Sequence, residues 1–154
     1  EKNLEFLAEA VAAYLQTAER AHFLVIGTGP SDKTIRGIFN RAGLDARLHI
    51  AGILGREQLG DALLAMNLFA FSSKSETQGL VLTVAMAAGL PVIALDANGV
   101  RVVVTDFRNG RLLQEESIND FVSALQWLAG LPAEQVRQLE QAAHDTADAF
   151  SMSR

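Results

Sequence analysis

Short runs of branched apolar residues alternate along this chain with segments of helical period, and each run stops at a glycine or a polar turn. His22-Phe23-Leu24-Val25-Ile26 ends at Gly27, Leu48-His49-Ile50-Ala51 at Gly52, and Leu68-Phe69-Ala70-Phe71 at Ser72-Ser73. Pro91-Val92-Ile93-Ala94-Leu95 and the short Arg111-Leu112-Leu113 complete five strand-like runs. Strands with no polar alternation are buried on both faces, as in a mostly parallel sheet covered by helices. Between them, residues 3–19 place Leu4, Leu7, Val11, Leu15 and Ala18 at helical spacing, and Ile35, Ile38 and Phe39 share a face up to Gly43. Further helices are expected over 56–67, 80–88, around Phe121, Leu125 and Leu128, and over 133–149. The alternation predicts an α/β domain, a Rossmann-like sheet with helices on both faces and its sites at the carboxyl ends of the strands. Val100-Arg101-Val102-Val103-Val104 reads as strand by propensity but follows the fourth run by only a few residues.

Length and composition narrow the function. The 154 residues fit a single domain, and 49% of them are hydrophobic, enough for a sizeable core. The absence of cysteine removes disulfides, thiolate metal sites and a cysteine nucleophile. A formal charge of −5 argues against a general nucleic-acid binder, which needs a basic face. Local anion binding by backbone N–H groups needs no such charge. No apolar run approaches the ~20 residues of a membrane span. The chain opens on Glu1-Lys2-Asn3 without an initiator Met, which reads as a boundary inside a longer protein.

The stretch richest in chemistry runs from Ser72 to Ala94. A strand ends, a polar loop follows (Lys74-Ser75-Glu76-Thr77-Gln78), then Gly79, then an Ala-rich helix. A glycine at a helix start beyond a polar loop exposes N–H groups to an anion, so this is a candidate phosphate site; its plain alternative is an ordinary strand-to-helix connection. Three histidines, 22, 49 and 144, show no metal-ligand spacing. Glu115-Glu116 and Asp145 with Asp148 read as solvated faces, and Trp127 as helix packing. Gly27-Thr28-Gly29 lacks the third glycine and the downstream acid of a dinucleotide fingerprint.

The same stretch resembles the core signature of the family-4 (group 1) retaining glycosyltransferases of GT-B fold, in their C-terminal nucleotide-sugar-binding domain. That pattern is an acid, a glycine with two apolar residues, a second acid eight positions after the first, and then Ala-Met-Ala-x-Gly-x-Pro-Val-Ile. Glu76, Gly79-Leu80-Val81, Ala85-Met86-Ala87, Gly89 and Pro91-Val92-Ile93 fall in place. Gly27-Thr28-Gly29-Pro30, Asn98-Gly99-Val100-Arg101 and Arg108-Asn109-Gly110-Arg111-Leu112-Leu113 extend the match over nearly the whole chain.

The resemblance implies a hexosyltransferase that needs neither metal nor cofactor, taking a UDP- or GDP-linked sugar. It implies that Glu76 accepts hydrogen bonds from sugar hydroxyls, with Thr77 and Gln78 beside it in the donor loop. Backbone N–H groups near Gly79, Leu80 and Val81 would hold the diphosphate at the helix N-terminus. Gly27 and Gly29 would leave room beside it, and Gly79 would let the ligand approach the backbone. Ile53 and Leu54 stand where the family packs the nucleobase, and equally read as loop core. Lys2 resembles the family's lysine that contacts the diphosphate together with an arginine just upstream, stabilising charge on the leaving group. That arginine, the first strand of the usual domain and the acceptor-binding domain would all lie before residue 1. A cytoplasmic enzyme of cell-envelope or glycolipid synthesis follows, with peripheral membrane contact through that upstream half.

Two positions depart from the pattern. Val84 stands where the second acid binds the ribose hydroxyls, and Val102 where a further glutamate is common. Valine has no acceptor, so the ribose contact is lost, moved or replaced by water. Thr83 is adjacent but points elsewhere on a helix. A nucleotide-sugar epimerase of the same fold and a degenerate, non-catalytic binding domain are the competing readings; no histidine-based epimerase site is evident.

Overall fold

The computed structural model describes residues 2–76 and 78–152. Its elements follow in the order α1 (Leu4–Leu15), β1 (Phe23–Ile26), α2 (Asp32–Arg41), a 3₁₀ turn (Asp45–Arg47), β2 (Leu48–Gly52), α3 (Arg56–Ala65), β3 (Phe69–Phe71), α4 (Leu80–Ala87), β4 (Val92–Leu95), α5 (Asn98–Val103), β5 (Gly110–Leu113), α6 (Ile118–Ala129) and α7 (Ala133–Met152). The Rossmann-like α/β expectation holds. The residues expected in strands fall in β1 to β5 with ends within one residue; His22, Leu68 and Pro91 stay just outside. Among the described residues no helix is long and apolar enough to cross a membrane.

Every strand pairing is parallel. The sheet is in two parts, β1 with β2 and, separately, β3-β4-β5. β4 is the inner strand of the larger part, and all four of its residues are buried. Its side chains alternate between two cores, as strand geometry requires. Ile93 and Leu95 join a cluster with α1, α2 and α6, whereas Val92 and Ala94 join one with α4, α5 and α7. Helices therefore cover both faces. On the first face α1 lies between α2 and α6 and packs on both. Its buried Leu7, Ala8, Val11, Ala12 and Leu15 repeat at helical spacing, which is why the sequence forms an amphipathic helix here.

The run 100–104 is the clearest correction. The β-branched residues form helix rather than strand, with Val100 and Val103 buried three positions apart and Val102 turned out. Arg101 fixes the turn by donating to both oxygens of Asp96, at 3.0 Å each, and to Asn98 Oδ1 at 2.7 Å. Local strand propensity yields to burial of one face. α1 also ends at Leu15, four residues earlier than its apolar spacing predicts. The cause is Arg47, whose guanidinium donates to the carbonyls of Leu15 (2.8 Å), Ala18 (2.6 Å) and Ala21 (3.3 Å) in the following turns. Charge-assisted bonds to orphan helix-end carbonyls are the stronger class. Arg47→Ala is expected to cost about 2 kcal/mol, read as a lower thermal midpoint. A midpoint unchanged to within about 1 °C would show that water replaces the guanidinium without loss.

Candidate functional site

The carboxyl ends of the strands bring three groups of residues into play. The first joins the ends of β1 and β2. Gly27 leaves β1 with a φ of 102°, and its N–H donates to Gly52 O at 2.7 Å. This contact follows the irregularity that shifts the β1–β2 register after Val25. It holds the Gly27–Gly29 turn beside the Gly52-Ile53-Leu54 connection. Ile53 is 82% exposed, so it is no core residue, and Leu54 is half-buried.

The second group joins the start of α1 to the end of β3. The Ser72 hydroxyl lies 2.7 Å from Lys2 O and 3.0 Å from Asn3 O. A buried serine is thereby satisfied across 70 residues of sequence, and exposed Lys2 is placed at the mouth of the 72–79 loop. The loop is tethered on its other side by Lys74 Nζ to Glu116 Oε1 at 2.6 Å. The hydrogen bond from Lys74 holds the Glu116 carboxyl below the ordinary glutamate range. Glu116 is thus an ion-pair partner of the loop and not merely part of a solvated face.

The third group is the entry to α4. Glu76 Oε2 accepts from Gly79 N at 2.9 Å, and Glu76 O accepts from Gly99 N at 2.8 Å. The acid therefore caps the helix start with one oxygen while its backbone ties the loop to α5. An ionised carboxylate keeps further acceptor sites after one such bond. Gly79 is left-handed, with φ 67° and ψ 22°. A Cβ there would lie 2.6 Å from Gly99 O and 2.7 Å from Val103 Cγ2. The need for glycine at 79 thus arises inside the protein, from α5 lying against the loop, and does not by itself require a ligand. Gln78 is exposed; Thr77 lies outside the described residues. Leu80, Val81 and Val84 are all exposed on α4, and Thr83 is turned inward, its hydroxyl bonded to Leu80 O at 2.8 Å.

The structure brings Lys2, Glu76 and Gly79 to linked loops at one end of the sheet, and holds the Gly27 turn with Ile53 and Leu54 at the strand ends of the other part. Sequence spacing missed Ser72, Lys74 and Gly99 as the residues that hold this loop. The polar run before Gly79 was the available signal for the serine and the lysine. Histidines 22 and 49 do meet, Nδ1 to Nε2 at 2.9 Å: the parallel register pairs His49 on β2 with Leu24, and His22, just before β1, lies two residues from Leu24 and so on the same face. Among the described residues no group of three metal-binding side chains forms. Trp127 is half-buried and stands edge-on to exposed Phe107, with ring centroids 5.4 Å apart. It lines a surface groove of about 480 Å³ with Arg108, Gln135 and Gln138, before the start of β5 rather than at the loop.

Comparison with known proteins gives one consistent answer. The sequence model of the family "Glycosyl transferases group 1" matches residues 1–146. The chain is 26% identical over 153 residues to α-D-kanosaminyltransferase of Streptomyces kanamyceticus, covering 99% of this chain and 40% of that protein. It is 37% identical over 120 residues to D-inositol 3-phosphate glycosyltransferase of Streptomyces scabiei, covering 71% of this chain and 27% of that one. It therefore spans less than half the length of these curated relatives. The fold is also that of the C-terminal domain of a group 1 family glycosyl transferase from Francisella tularensis (TM-score 0.86, 23% identity, 97% of this chain and 80% of that one). With the family's sequence pattern running from the first helix to the last, the chain belongs to the group 1 glycosyl transferases.

Proposed function

We propose that this chain binds the nucleoside-diphosphate end of a sugar donor at the carboxyl ends of its strands, and that the whole protein transfers the sugar with retention of configuration. The observation that carries this reading is the convergence of Lys2, Glu76 and the start of α4 on one loop end, each held by bonds to a different element. A helix start flanked by a lysine suits a diphosphate. The free acceptor capacity of Glu76 suits sugar hydroxyls. Gly27 and Gly29 leave open space on the β1 side, since a Cβ at either would meet nothing within 4 Å. Ile53 and Leu54 offer an apolar surface for a base. Two solved relatives of the fold support the ligand class: a pneumococcal O-GlcNAc transferase in complex with UDP and GlcNAc, and an Anabaena protein in complex with UDP-glucose.

Transfer itself needs more than this chain. The edges of β1 and β3 away from β2 and β4 carry no strand partner among the described residues, which fits an upstream strand lying between them. The upstream arginine and an acceptor-binding domain belong to the same proposal, and the chain alone is then inactive as a transferase. A non-catalytic binding domain is the second reading, favoured by the exposed valines at 84 and 102.

Amide chemical shifts followed during titration with UDP and with GDP test the site. Perturbations are expected across residues 76–84 and in the Gly27–Gly29 turn, at weak affinity. Shifts confined to other regions, or none at millimolar nucleotide, would remove the donor-site reading.

A further inference from the structure

The groove beside Trp127 lies at the amino ends of the strands, away from the donor loop. Phe107 and Arg108, from the connection between α5 and β5, form one wall; Trp127 near the end of α6 and Gln135 and Gln138 on α7 line the rest of its 480 Å³. Phe107 is the exceptional residue. Its backbone is left-handed, with φ 68°, a conformation that costs a bulky residue energy and that glycine adopts freely. Yet the ring placed there is 57% exposed. The connection around it is held on all sides. Phe107 N donates to Gly110 O at 2.8 Å, and Arg111 Nε donates to Asp106 Oδ1 at 2.7 Å. Buried Asn109 accepts from Thr105 N and donates to Thr146 Oγ1 of α7. The Arg111 guanidinium carbon stands 4.1 Å from the Phe107 ring centroid, so it covers one face, and the exposure falls on the rest of the ring. Backbone strain of this kind collects at ligand clamps.

The polar groups beside the ring agree with that reading. Arg108, Gln135 and Gln138 are all exposed, and among the described residues their side chains have no hydrogen-bond or ion-pair partner. The amides donate and accept, the guanidinium donates, and no carboxylate lines the groove among the described residues. We propose that this groove binds a pyranose ring of a glycan chain, at a site separate from the donor loop and independent of the donor-site reading. The apolar C–H face of a pyranose packs on an aromatic ring. Its hydroxyls, each donor and acceptor, find partners in the two amides and Arg108. An apolar floor with a few polar groups is the usual make-up of a small-molecule site, and the volume lies within the usual range of about 300–1,000 Å³. A nucleotide fits less well, because its phosphates would meet one cation of the lining, Arg108. A protein hot spot seats its aromatic residues in a fully desolvated pocket, whereas these are ringed by exposed amides.

Trp127 is the single tryptophan of the sequence, so indole fluorescence reports this groove alone. Maltotriose, cellotriose and triacetylchitotriose are the probes. At least one is expected to shift the emission to the blue, as the sugar displaces water from the half-buried indole, with a dissociation constant of about 1 mM. Phe107→Gly removes the ring and suits the left-handed backbone. It should melt close to the parent and bind the same sugar about tenfold more weakly. Gln135→Ala combined with Gln138→Ala changes two exposed helix positions, keeps the fold and should weaken binding about fivefold. No shift with any of the three sugars, or a shift that survives both variants, overturns the proposal. A shift produced by uridine diphosphate also overturns it, by making the groove a nucleotide site. Emission that changes with protein concentration alone does the same, by making it a surface for a second copy of this chain.

Discussion

Gly110→Ala is expected to unfold the protein. Gly110 pairs with Val92 at the start of the β4–β5 ladder, and a Cβ at 110 would lie 1.8 Å from Val92 O and under 3 Å from two further Val92 backbone atoms. No rotamer change relieves a clash with backbone. β5 would have to move off β4, whose residues are all buried and serve both cores. Separation of the strands would also disturb Asn109, which is 1% exposed and bonds Thr105 N, Val103 O and Thr146 Oγ1, joining the end of α5 to α7. Breaking such a network falls in the class of losses above about 4 kcal/mol. That approaches the whole stability of an ordinary domain, about 5–15 kcal/mol. Far-ultraviolet circular dichroism should show a chain largely unfolded at 37 °C, the temperature chosen for the measurement. A cooperative melt within a few degrees of the parent would mean that β5 can shift its register at little cost.

Gly79→Ala carries the second largest effect, and there function and stability separate. The left-handed backbone alone costs a non-glycine residue about 1–2 kcal/mol. The added methyl would also press on Gly99 O and Val103 Cγ2, one rigid and one buried. A total of about 3 kcal/mol is expected, with the displacement confined to the loop and α5, since β4 and α7 do not depend on residue 79. At low temperature the variant should stay folded yet lose nucleotide binding, because the cap from Glu76 to Gly79 and the bond from Gly99 N to Glu76 O both shift. Hydrogen exchange and a UDP titration on the same sample check this. Retained binding with the parent's affinity would place the diphosphate away from this helix start.

The sequence read most plainly where one cause acts alone. The apolar run Val92–Leu95, set off by Pro91 before it and a polar turn after it, reads as a doubly covered strand, and Gly79 and Gly89 bracket α4 from local chemistry. Legibility failed where the deciding partner is remote. Nothing near Val100 says that its neighbours close a helix; Asp96, Asn98 and the second core settle it. Likewise the early end of α1 depends on Arg47, 32 residues after Leu15. The histidine pair depends on a register that only the folded ladder supplies. At the candidate site the motif marked the loop, but its tethers, Ser72 to Lys2 and Lys74 to Glu116, join segments 70 and 42 residues apart. The glycine at 79 could be placed from sequence, whereas its reason, the approach of α5, could not.

The division of the sheet has a consequence for how the molecule opens. Among the described residues β1 and β2 exchange no ladder bonds with β3, β4 and β5, so within this chain the two parts are joined chiefly by packing around α1 between α2 and α6. Apolar packing of this kind is lost in one step when the helix lifts, while each parallel ladder can survive without the other. The unit containing β1, α2 and β2 is then a separate foldon, with amide protection set by the docking of α1 rather than by global unfolding. When it detaches from this chain, the inward edge of β3, which has no strand partner among the described residues, is left further uncovered. Its Phe69-Ala70-Phe71 carries no charge or proline to discourage pairing with another chain. Any pairing of that edge with another chain would then follow the local opening of this unit rather than global unfolding.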